Sequence, residues 1–89
     1  MSKLYFVYVL RSLKDKNFYT GYTENLDRRF EEHNSGKVAS TKYRTPFEIV
    51  YFEASYNIND ALHREKYLKS TYGKRYIRNR IKNYSDDIS

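Results

Sequence analysis

The sequence predicts an α+β fold: a small, three-stranded, mainly antiparallel sheet flanked by helices in the order ββαβαα. Runs rich in Tyr, Val, Phe and Ile at residues 3–11, 18–22 and 47–54 are typical of strands. Apolar residues recur at helical spacing after the second and third runs. No repeat or linker divides the chain, so we expect one domain at residues 1–84 and a disordered tail at residues 85–89.

The first two runs predict a β-hairpin. Residues 3–11 are apolar on both faces, as in a central strand that is covered on both sides. The polar segment 14–17 is typical of the turn, and the second strand follows at residues 18–22. Because side chains alternate at period two, Tyr8 and Tyr19 are expected on the same face of the sheet.

The segment after the hairpin predicts a helix. Thr23 or Asn25 is expected to cap its N terminus, Asp27 complements the helix dipole in the first turn, and Gly36 is the stop signal. One face of this helix is formed by residues at i, i+3, i+4 and i+7, namely Leu26, Arg29, Phe30 and His33.

The third strand is followed by two predicted helices, at about 57–72 and 74–84, with Gly73 between them. Asn57 or Asn59 is expected to open the first of these helices. The second helix is basic, and its apolar contacts are Tyr76, Ile77 and Ile81.

Glu65 lies where the pattern of the first C-terminal helix calls for an apolar side chain. A carboxylate that faces a core costs several kcal/mol unless a cation or hydrogen-bond donors meet it. Two explanations are open: a catalytic or metal-binding role, and a buried ion pair with an arginine such as Arg29. The stripe around Glu65, at about 100° per residue, consists of Ile58, Ala61, Leu62, Leu68 and Tyr72.

The composition describes a small basic protein with a net charge of +6, no cysteine and 11 tyrosines among 89 residues. The lack of cysteine excludes disulfides and thiolate metal sites. The apolar run at residues 4–10 is too short to span a membrane and has no small-residue cleavage site. We therefore expect a cytoplasmic protein without a membrane partner.

The positive charge is concentrated towards the C-terminal end. Within residues 61–84, Glu65 is the single acidic residue among many lysines and arginines. This pattern predicts a surface that binds a polyanion, and the alternative is a solvated helical face. The candidate phosphate contacts are Lys42, Arg44, Lys69, Lys74, Arg75 and Arg78.

Two tripeptides, Phe6-Val7-Tyr8 and Tyr19-Thr20-Gly21, have ten residues between their tyrosines and resemble the signature of the GIY-YIG nuclease family. The resemblance continues through residues 25–36 and 61–66 and covers nearly the whole chain. Within that family, the chain is most similar to short bacterial proteins that consist of this domain alone. More distantly, it resembles the N-terminal domain of the excinuclease C subunit and the homing endonucleases.

The resemblance implies a metal-dependent endonuclease that cuts DNA phosphodiester bonds, with a role in DNA repair as one family setting. Glu65 would hold a single divalent metal, Mg²⁺ or Mn²⁺, and Arg29 would stabilise the transition-state phosphate. Tyr8 would lie near the attacking water, Tyr19 would assist it, and His33 would orient a tyrosine or a phosphate oxygen. These groups suit the chemistry, since Mg²⁺ prefers oxygen ligands and a guanidinium donates two parallel hydrogen bonds to phosphate. A tyrosine is a poor base at its usual pKa of about 10 and needs a neighbouring cation.

The chain departs from the family pattern at several positions. Phe6 and Val7 replace the first glycine and the isoleucine, whereas the tyrosine remains. Glu24 stands where several members have a lysine, and an acidic side chain cannot contact phosphate. Asn79 corresponds loosely to a late asparagine, and no role is assigned to it.

Each candidate site residue also has a structural interpretation. Tyr8 and Tyr19 could fill the core, and His33 could pack on its own helix. Arg29 could pair with Glu65, and Gly21 could relieve a bulge or let a phosphate approach the backbone.

A domain of this size has little room to read base sequence, so we expect recognition of the DNA backbone or of branched or flapped structure. RNA is an open alternative substrate, a protein partner is compatible with the sequence, and a monomer or weak dimer is expected. Two other functions are open. The chain could be a nucleic-acid-binding module that does not cut alone, or a protein-interaction domain whose basic helix meets an acidic partner.

Overall fold

The structure, a computed structural model, describes residues 3–84. The predicted element order ββαβαα is confirmed. The predicted tail at residues 85–89 lies outside the described residues. The elements are β1 (Tyr5–Ser12), β2 (Phe18–Thr23), α1 (Leu26–Asn34), β3 (Phe47–Ser55), α2 (Ile58–Leu68) and α3 (Thr71–Arg80).

The sheet is antiparallel, with strand order β2-β1-β3. The predicted central position of β1 is therefore confirmed. In register, Tyr8 lies opposite Gly21 on β2 and opposite Phe52 on β3. A bulge shifts the β1–β3 pairing between Val9 and Leu10.

Alternate residues of β1 serve two separate cores, because successive strand side chains point to opposite faces. On what we call the Val7 face, Val7 and Val9 pack against α2 and α3. On what we call the Tyr8 face, Tyr8 and Leu10 pack with Phe47 and with the inner side of α1. The side chains from the helices are Ala61, Leu68 and Ile77 on the Val7 face and Leu26 and Phe30 on the Tyr8 face.

Of the two residues predicted to cap α1, Asn25 is the one that does so. The Asn25 side chain accepts a hydrogen bond from the Arg28 amide at 3.1 Å, and Thr23 instead accepts one from the Asn25 amide at 3.1 Å. Just beyond the helix, Gly36 adopts φ of 76°, a left-handed conformation that glycine accepts without strain. The predicted stop signal is therefore present where the chain turns out of α1.

The boundary between α2 and α3 differs from the prediction. Helix α2 ends at Leu68 rather than near Tyr72, and the Ser70 side chain caps α3 by accepting from the Gly73 amide at 3.2 Å. Gly73 thus lies in the first turn of α3 and does not end α2. A β-carbon there would lie only 2.1 Å from the Tyr67 carbonyl oxygen, so a glycine is needed where the two helices pack closely.

The predicted apolar stripe of α2 is also wrong in part. Ala61 and Leu68 are buried, whereas Ile58, Leu62 and Tyr72 are 38%, 41% and 70% exposed. The helix contacts the sheet through a narrower strip than the sequence pattern indicates. Arg64 adds a polar contact between α2 and the sheet by donating two hydrogen bonds to Glu53 at 2.8 and 2.9 Å. No helix within residues 3–84 is long and apolar enough to cross a membrane.

Candidate active site

Tyr8 is at the centre of a polar cluster on the Tyr8 face. Its ring lies directly over Gly21 on the neighbouring strand, where a β-carbon would come within 2.4 Å of the Tyr8 hydroxyl oxygen. Any larger residue at Gly21 would displace that ring. Gly21, the glycine of the second tripeptide, therefore makes room for Tyr8, the tyrosine of the first. This contact gives Gly21 a role other than the two that the sequence suggests.

A buried hydrogen-bond chain runs from Tyr8 through His33 to Thr41. The Tyr8 hydroxyl is 2.8 Å from His33 Nε2, and His33 Nδ1 is 2.8 Å from Thr41 Oγ1. Tyr8 is 1% exposed, and His33 and Thr41 are both 0% exposed. The Thr41 hydroxyl is also directed at the Val38 carbonyl, to which it donates at 3.5 Å. This network favours the tautomer with the proton on Nδ1, so that Nε2 accepts the Tyr8 proton.

Tyr19 completes an aromatic cage around His33. Its ring centroid is 5.0 Å from that of His33 in an edge-on arrangement and 6.5 Å from that of Tyr8. Phe47 approaches the imidazole from another side at 6.0 Å. These rings hold His33 in one orientation, and the prediction that Tyr8 and Tyr19 share a face is confirmed.

Arg29 joins the cluster from α1. Its guanidinium lies beside the Tyr8 hydroxyl, and this contact raises the Arg29 pKa further above its usual value. On its other side, Arg29 forms an ion pair with Glu32 at 3.1 Å. Arg29 therefore pairs with Glu32, which is one turn further along α1, and the predicted alternative of a pair with Glu65 is wrong.

The protonation states in the cluster follow from burial. Burial raises the pKa of Tyr8, although the neighbouring Arg29 opposes that shift. Burial, and then the positive charge of Arg29, lowers the pKa of His33 from 6.5 to about 4. At neutral pH the cluster therefore contains a protonated tyrosine hydroxyl that faces a neutral imidazole.

Glu65 on α2 acts electrostatically on the same cluster. Its negative charge makes a smaller contribution to raising the Tyr8 pKa, after burial and the Tyr19 hydroxyl, which shows that the carboxylate lies within electrostatic range. The Glu65 side chain is 22% exposed and forms an ion pair with Lys69 at 3.2 Å. The predicted buried pair with an arginine is wrong, because the partner is a largely exposed lysine one turn along α2.

A polar cleft of about 390 Å³ opens beside Arg29. Glu24, the acidic departure from the family pattern, lines this cleft. Its carboxylate pairs with Lys3 and accepts a hydrogen bond from the Tyr22 hydroxyl at 3.2 Å, and Lys3 lowers its pKa. Much of the negative charge of Glu24 is therefore balanced locally. The cleft is lined by Tyr22, Thr23, Glu24, Arg28, Arg29 and Glu32.

The predicted phosphate contacts fall into two groups. Lys69, Lys74 and Arg75 are exposed near the junction of α2 and α3, and Arg78 is exposed in the last turn of α3. Lys42 is also exposed, in the loop before β3, and its ammonium lies 5.0 Å from the centre of the Tyr43 ring.

Arg44 differs from these residues because an ion pair already holds it. Its Nε donates to Asp15 at 2.6 Å, and this contact lowers the Asp15 pKa to about 2. The guanidinium also lies 5.5 Å from the centre of the Phe47 ring. Arg44 therefore connects the β1–β2 turn to the loop before β3, and its role as a phosphate contact stays a prediction.

Thr41 is a residue of this network that the sequence does not predict. It follows His33 by eight residues in an irregular loop, so no periodic pattern places it beside the imidazole. The nearby polar segment, with Gly36 turning the chain back after α1, was the available signal, but it does not indicate which hydroxyl meets His33.

Residues 4–84 match the sequence model of the GIY-YIG catalytic domain.

This chain belongs to the GIY-YIG family.

Its relatives include proteins that carry the name UPF0213. One from Oceanobacillus iheyensis is 40% identical over 70 residues, covering 78% of this chain and 80% of the relative. Another from Clostridium perfringens is 45% identical over 65 residues, covering 72% and 69%. The solution NMR structure of a UPF0213 protein from Bacillus halodurans matches with a TM-score of 0.52 and 36% identity, covering 83% of this chain and 81% of that one.

GIY-YIG nucleases generally depend on a divalent metal, so the donor atoms near the cluster can be tested for fit. Within residues 3–84, no three His, Asp or Glu side chains lie together in a group that could hold a metal ion. Glu65 offers one partly buried carboxylate whose charge acts on the Tyr8 hydroxyl. Mg²⁺ often keeps several waters and binds through one or two carboxylates and the substrate phosphate. The residues fit that kind of site and do not fit a cage of several protein ligands.

Proposed function

We propose that this GIY-YIG domain is a metal-dependent endonuclease that hydrolyses phosphodiester bonds in DNA. The observation that carries the proposal is the convergence of Tyr8, Tyr19, Arg29 and His33 around one hydroxyl, with the Glu65 carboxylate within electrostatic range. These residues come from two strands and two helices. A cluster that needed only to be packed would not require an arginine beside a buried tyrosine hydroxyl and a neutral imidazole.

Arg29 is the proposed phosphate ligand. Its guanidinium stays charged and can donate two parallel hydrogen bonds to phosphoryl oxygens. The ion pair with Glu32 lies at the edge of the polar cleft, and the Arg29 side chain is 36% exposed, so an incoming phosphate can reach it. Negative charge that develops on the phosphate during attack would strengthen this contact in the transition state.

Tyr8 and His33 are the proposed route for the proton of the attacking water. The water gives a proton to the Tyr8 oxygen as Tyr8 passes its own proton to Nε2 of His33, and the resulting hydroxide attacks phosphorus. His33 is neutral at neutral pH and can accept that proton. Its lowered pKa makes the imidazolium costly in the free protein, and the negative charge of a bound phosphate offsets that cost.

Glu65 is the proposed ligand for a single Mg²⁺ or Mn²⁺ ion, with water and the substrate phosphate as its other ligands. Such an ion would neutralise charge on the phosphoryl oxygens and assist the departing oxygen. The Lys69 ammonium now paired with Glu65 lies on an exposed side chain that can move away.

Recognition is proposed to act through the DNA backbone or through branched or flapped structure. Lys69, Lys74, Arg75 and Arg78 are exposed cations on and beside α3, and Lys42 is a further exposed cation in the loop before β3. RNA, which contains the same phosphodiester groups, is the alternative substrate.

A second candidate is a nucleic-acid-binding domain that does not cut, or that cuts only with a partner. The observation that favours it is the burial of Tyr8, which is 1% exposed and so can reach a water molecule only through its hydroxyl. This candidate predicts the same salt-dependent DNA binding without metal-dependent turnover.

The test is incubation of the pure protein with labelled linear, flapped, bubble and four-way DNA at low salt, with Mg²⁺, with Mn²⁺ or with EDTA. The proposal expects cleavage of at least one substrate that requires metal. A Glu65→Ala preparation purified in parallel excludes a contaminating nuclease. Binding without cleavage of any substrate would support the second candidate.

A further inference from the structure

A groove on the Val7 face, beside strand β2, is distinct from the polar cleft beside Arg29. It consists of a cleft of about 280 Å³ between β2 and the α2–α3 junction and a smaller one of about 160 Å³ beyond it. Phe18 and Lys74 line both parts and join them into one path. The remaining lining residues are Val9, Tyr19, Thr20, Leu68, Lys69 and Ile77 in the first part and Asn17 and Arg78 in the second.

The groove combines an apolar floor with positive charge along its rim. Phe18 packs against the Val7-face core and is only partly buried, so part of its surface faces the groove. Lys69, Lys74 and Arg78 supply three cations, and none of the residues lining either part is acidic. By contrast, the cleft beside Arg29 contains two glutamates. These cations favour a ligand that carries negative charge, because an uncharged apolar ligand would form no ion pair with them.

One end of the groove reaches the candidate active site. Lys69 lines the groove and forms the ion pair with Glu65. Tyr19 also lines it, while the Tyr19 ring packs against His33 on the Tyr8 face. A chain of phosphates that leaves the site past Glu65 would therefore enter the groove at Lys69 and continue to Lys74 and Arg78.

We propose that this groove binds an unpaired DNA strand, with a base against Phe18 and successive phosphates on Lys69, Lys74 and Arg78. An aromatic floor with a rim of cations is the arrangement that proteins use for single strands, because every base has a face that can stack. The first part of the groove has the size of a small-molecule site. A base that is paired and stacked in a duplex cannot enter it without leaving the helix. The groove extends the proposed function by naming the part of the DNA substrate that the protein holds, an unpaired strand. It rests on the proposed function only for the position of the cut.

The binding test uses the intact protein in EDTA, so that cleavage cannot interfere. Fluorescence anisotropy would compare a labelled single-stranded oligonucleotide with a hairpin duplex of the same strand across a salt series. We expect tighter binding of the single strand. Lys74→Ala with Arg78→Ala should flatten the slope of log affinity against log salt for the single strand by about 1.4, since each single-strand phosphate contact contributes about 0.7.

A matched control is Lys66→Ala with Arg80→Ala, which removes the same charge from exposed residues of α2 and α3 that do not line the groove. That control should leave the slope nearly unchanged. Equal flattening in both double variants would mean that net charge alone drives binding, and it would overturn the proposal.

The contact with a base is tested first by changing the DNA and then by changing Phe18. An abasic site moved along the single strand should weaken binding at one position by about fivefold or more, because one stacked base is lost there. Phe18→Leu keeps an apolar floor and should erase that position dependence while the duplex affinity stays the same. Uniform affinity along the strand, or equal losses on single strand and duplex, would contradict the proposal.

The two proposals can fail separately. If the protein cuts none of the DNA substrates but binds the single strand with the expected position dependence, the groove stands and the nuclease function fails. If it cuts DNA in a metal-dependent way but shows no preference for the single strand, the groove assignment alone is wrong.

Discussion

The two faces of strand β1 use the same stretch of chain in opposite ways. On the Val7 face, Val7 and Val9 meet apolar side chains from α2 and α3. On the Tyr8 face, the residue between them, Tyr8, meets an imidazole, a guanidinium and a second tyrosine ring. Both sets of β1 side chains are equally buried, with Val7, Tyr8 and Val9 all 1% exposed.

This difference shows that burial alone does not reveal what a residue contributes. The Val7 face stabilises the fold through apolar contact, whereas the Tyr8 face buries polar groups whose hydrogen bonds satisfy one another. Substitutions on the first face are expected to lower the free energy of unfolding. Substitutions on the second face are expected to affect the proposed chemistry more than the fold.

The largest expected effect is on the Val7 face. Leu68→Ala removes a side chain that is 1% exposed and should lower the free energy of unfolding by about 2–5 kcal/mol, through lost burial and the cavity left behind. Urea denaturation followed by circular dichroism measures this. Leu62→Ala on the same helix is the control, and because Leu62 is 41% exposed it should cost much less. Equal losses would mean that α2 does not dock as described.

Arg29→Ala on the Tyr8 face should lower the cleavage rate rather than the stability of the fold. Single-turnover cleavage should slow on the order of a hundredfold or more, while the midpoint of thermal unfolding changes little. Arg28→Ala, which removes an exposed arginine from the same cleft, should have a small effect on the rate. If Arg29→Ala weakens DNA binding and leaves the single-turnover rate at saturating DNA unchanged, Arg29 is a phosphate contact without a catalytic role.

His33 should make the stability of the folded protein depend on pH. Its pKa is lowered in the folded protein from 6.5 to about 4, so the unfolded chain takes up a proton first as the pH falls. Its contribution to stability is therefore complete above about pH 6.5 and is lost progressively towards pH 4. Thermal melting across this range should show a steeper acid-side loss for the wild type than for His33→Gln. Parallel curves would show that the pKa of His33 is not lowered.

The smallest expected effect concerns Thr41, which we infer acts as a positioning residue by holding the His33 tautomer. Thr41→Val removes the hydroxyl and should reduce kcat by about tenfold with little change in KM, because Nδ1 loses its partner. Thr41→Ser keeps the hydroxyl and should restore most of the rate. If the serine and valine variants have the same kcat, the hydroxyl does not act through His33.

Much of the fold follows from local sequence patterns. The three strands, the α1 cap at Asn25 and the shared face of Tyr8 and Tyr19 are set by residue alternation and short-range capping, which one sequence displays. The close packing that explains Gly73 depends on the approach of two helices, so the same glycine was mistaken for a helix stop.

The candidate site was partly predictable for the same reason. Its tyrosines, arginine and histidine follow from spacing and from the family resemblance. The partners of those groups did not, since Arg29 pairs with Glu32 rather than Glu65 and Thr41 meets His33 from an irregular loop. The position of Glu65 within the helical pattern made it a candidate, which stays a prediction, and the apolar stripe predicted around it narrows in the structure to Ala61 and Leu68.

The most direct test of the account is the metal-dependent cleavage rate of Glu65→Gln, measured beside its thermal unfolding. The substitution keeps the shape of the side chain and removes the charge that a divalent ion would need. Because the Glu65 side chain is 22% exposed and its partner Lys69 is 53% exposed, the account predicts a melting temperature close to that of the wild type and loss of cleavage. A variant that is largely unfolded, or one that is folded and cuts DNA at the wild-type rate, would contradict it.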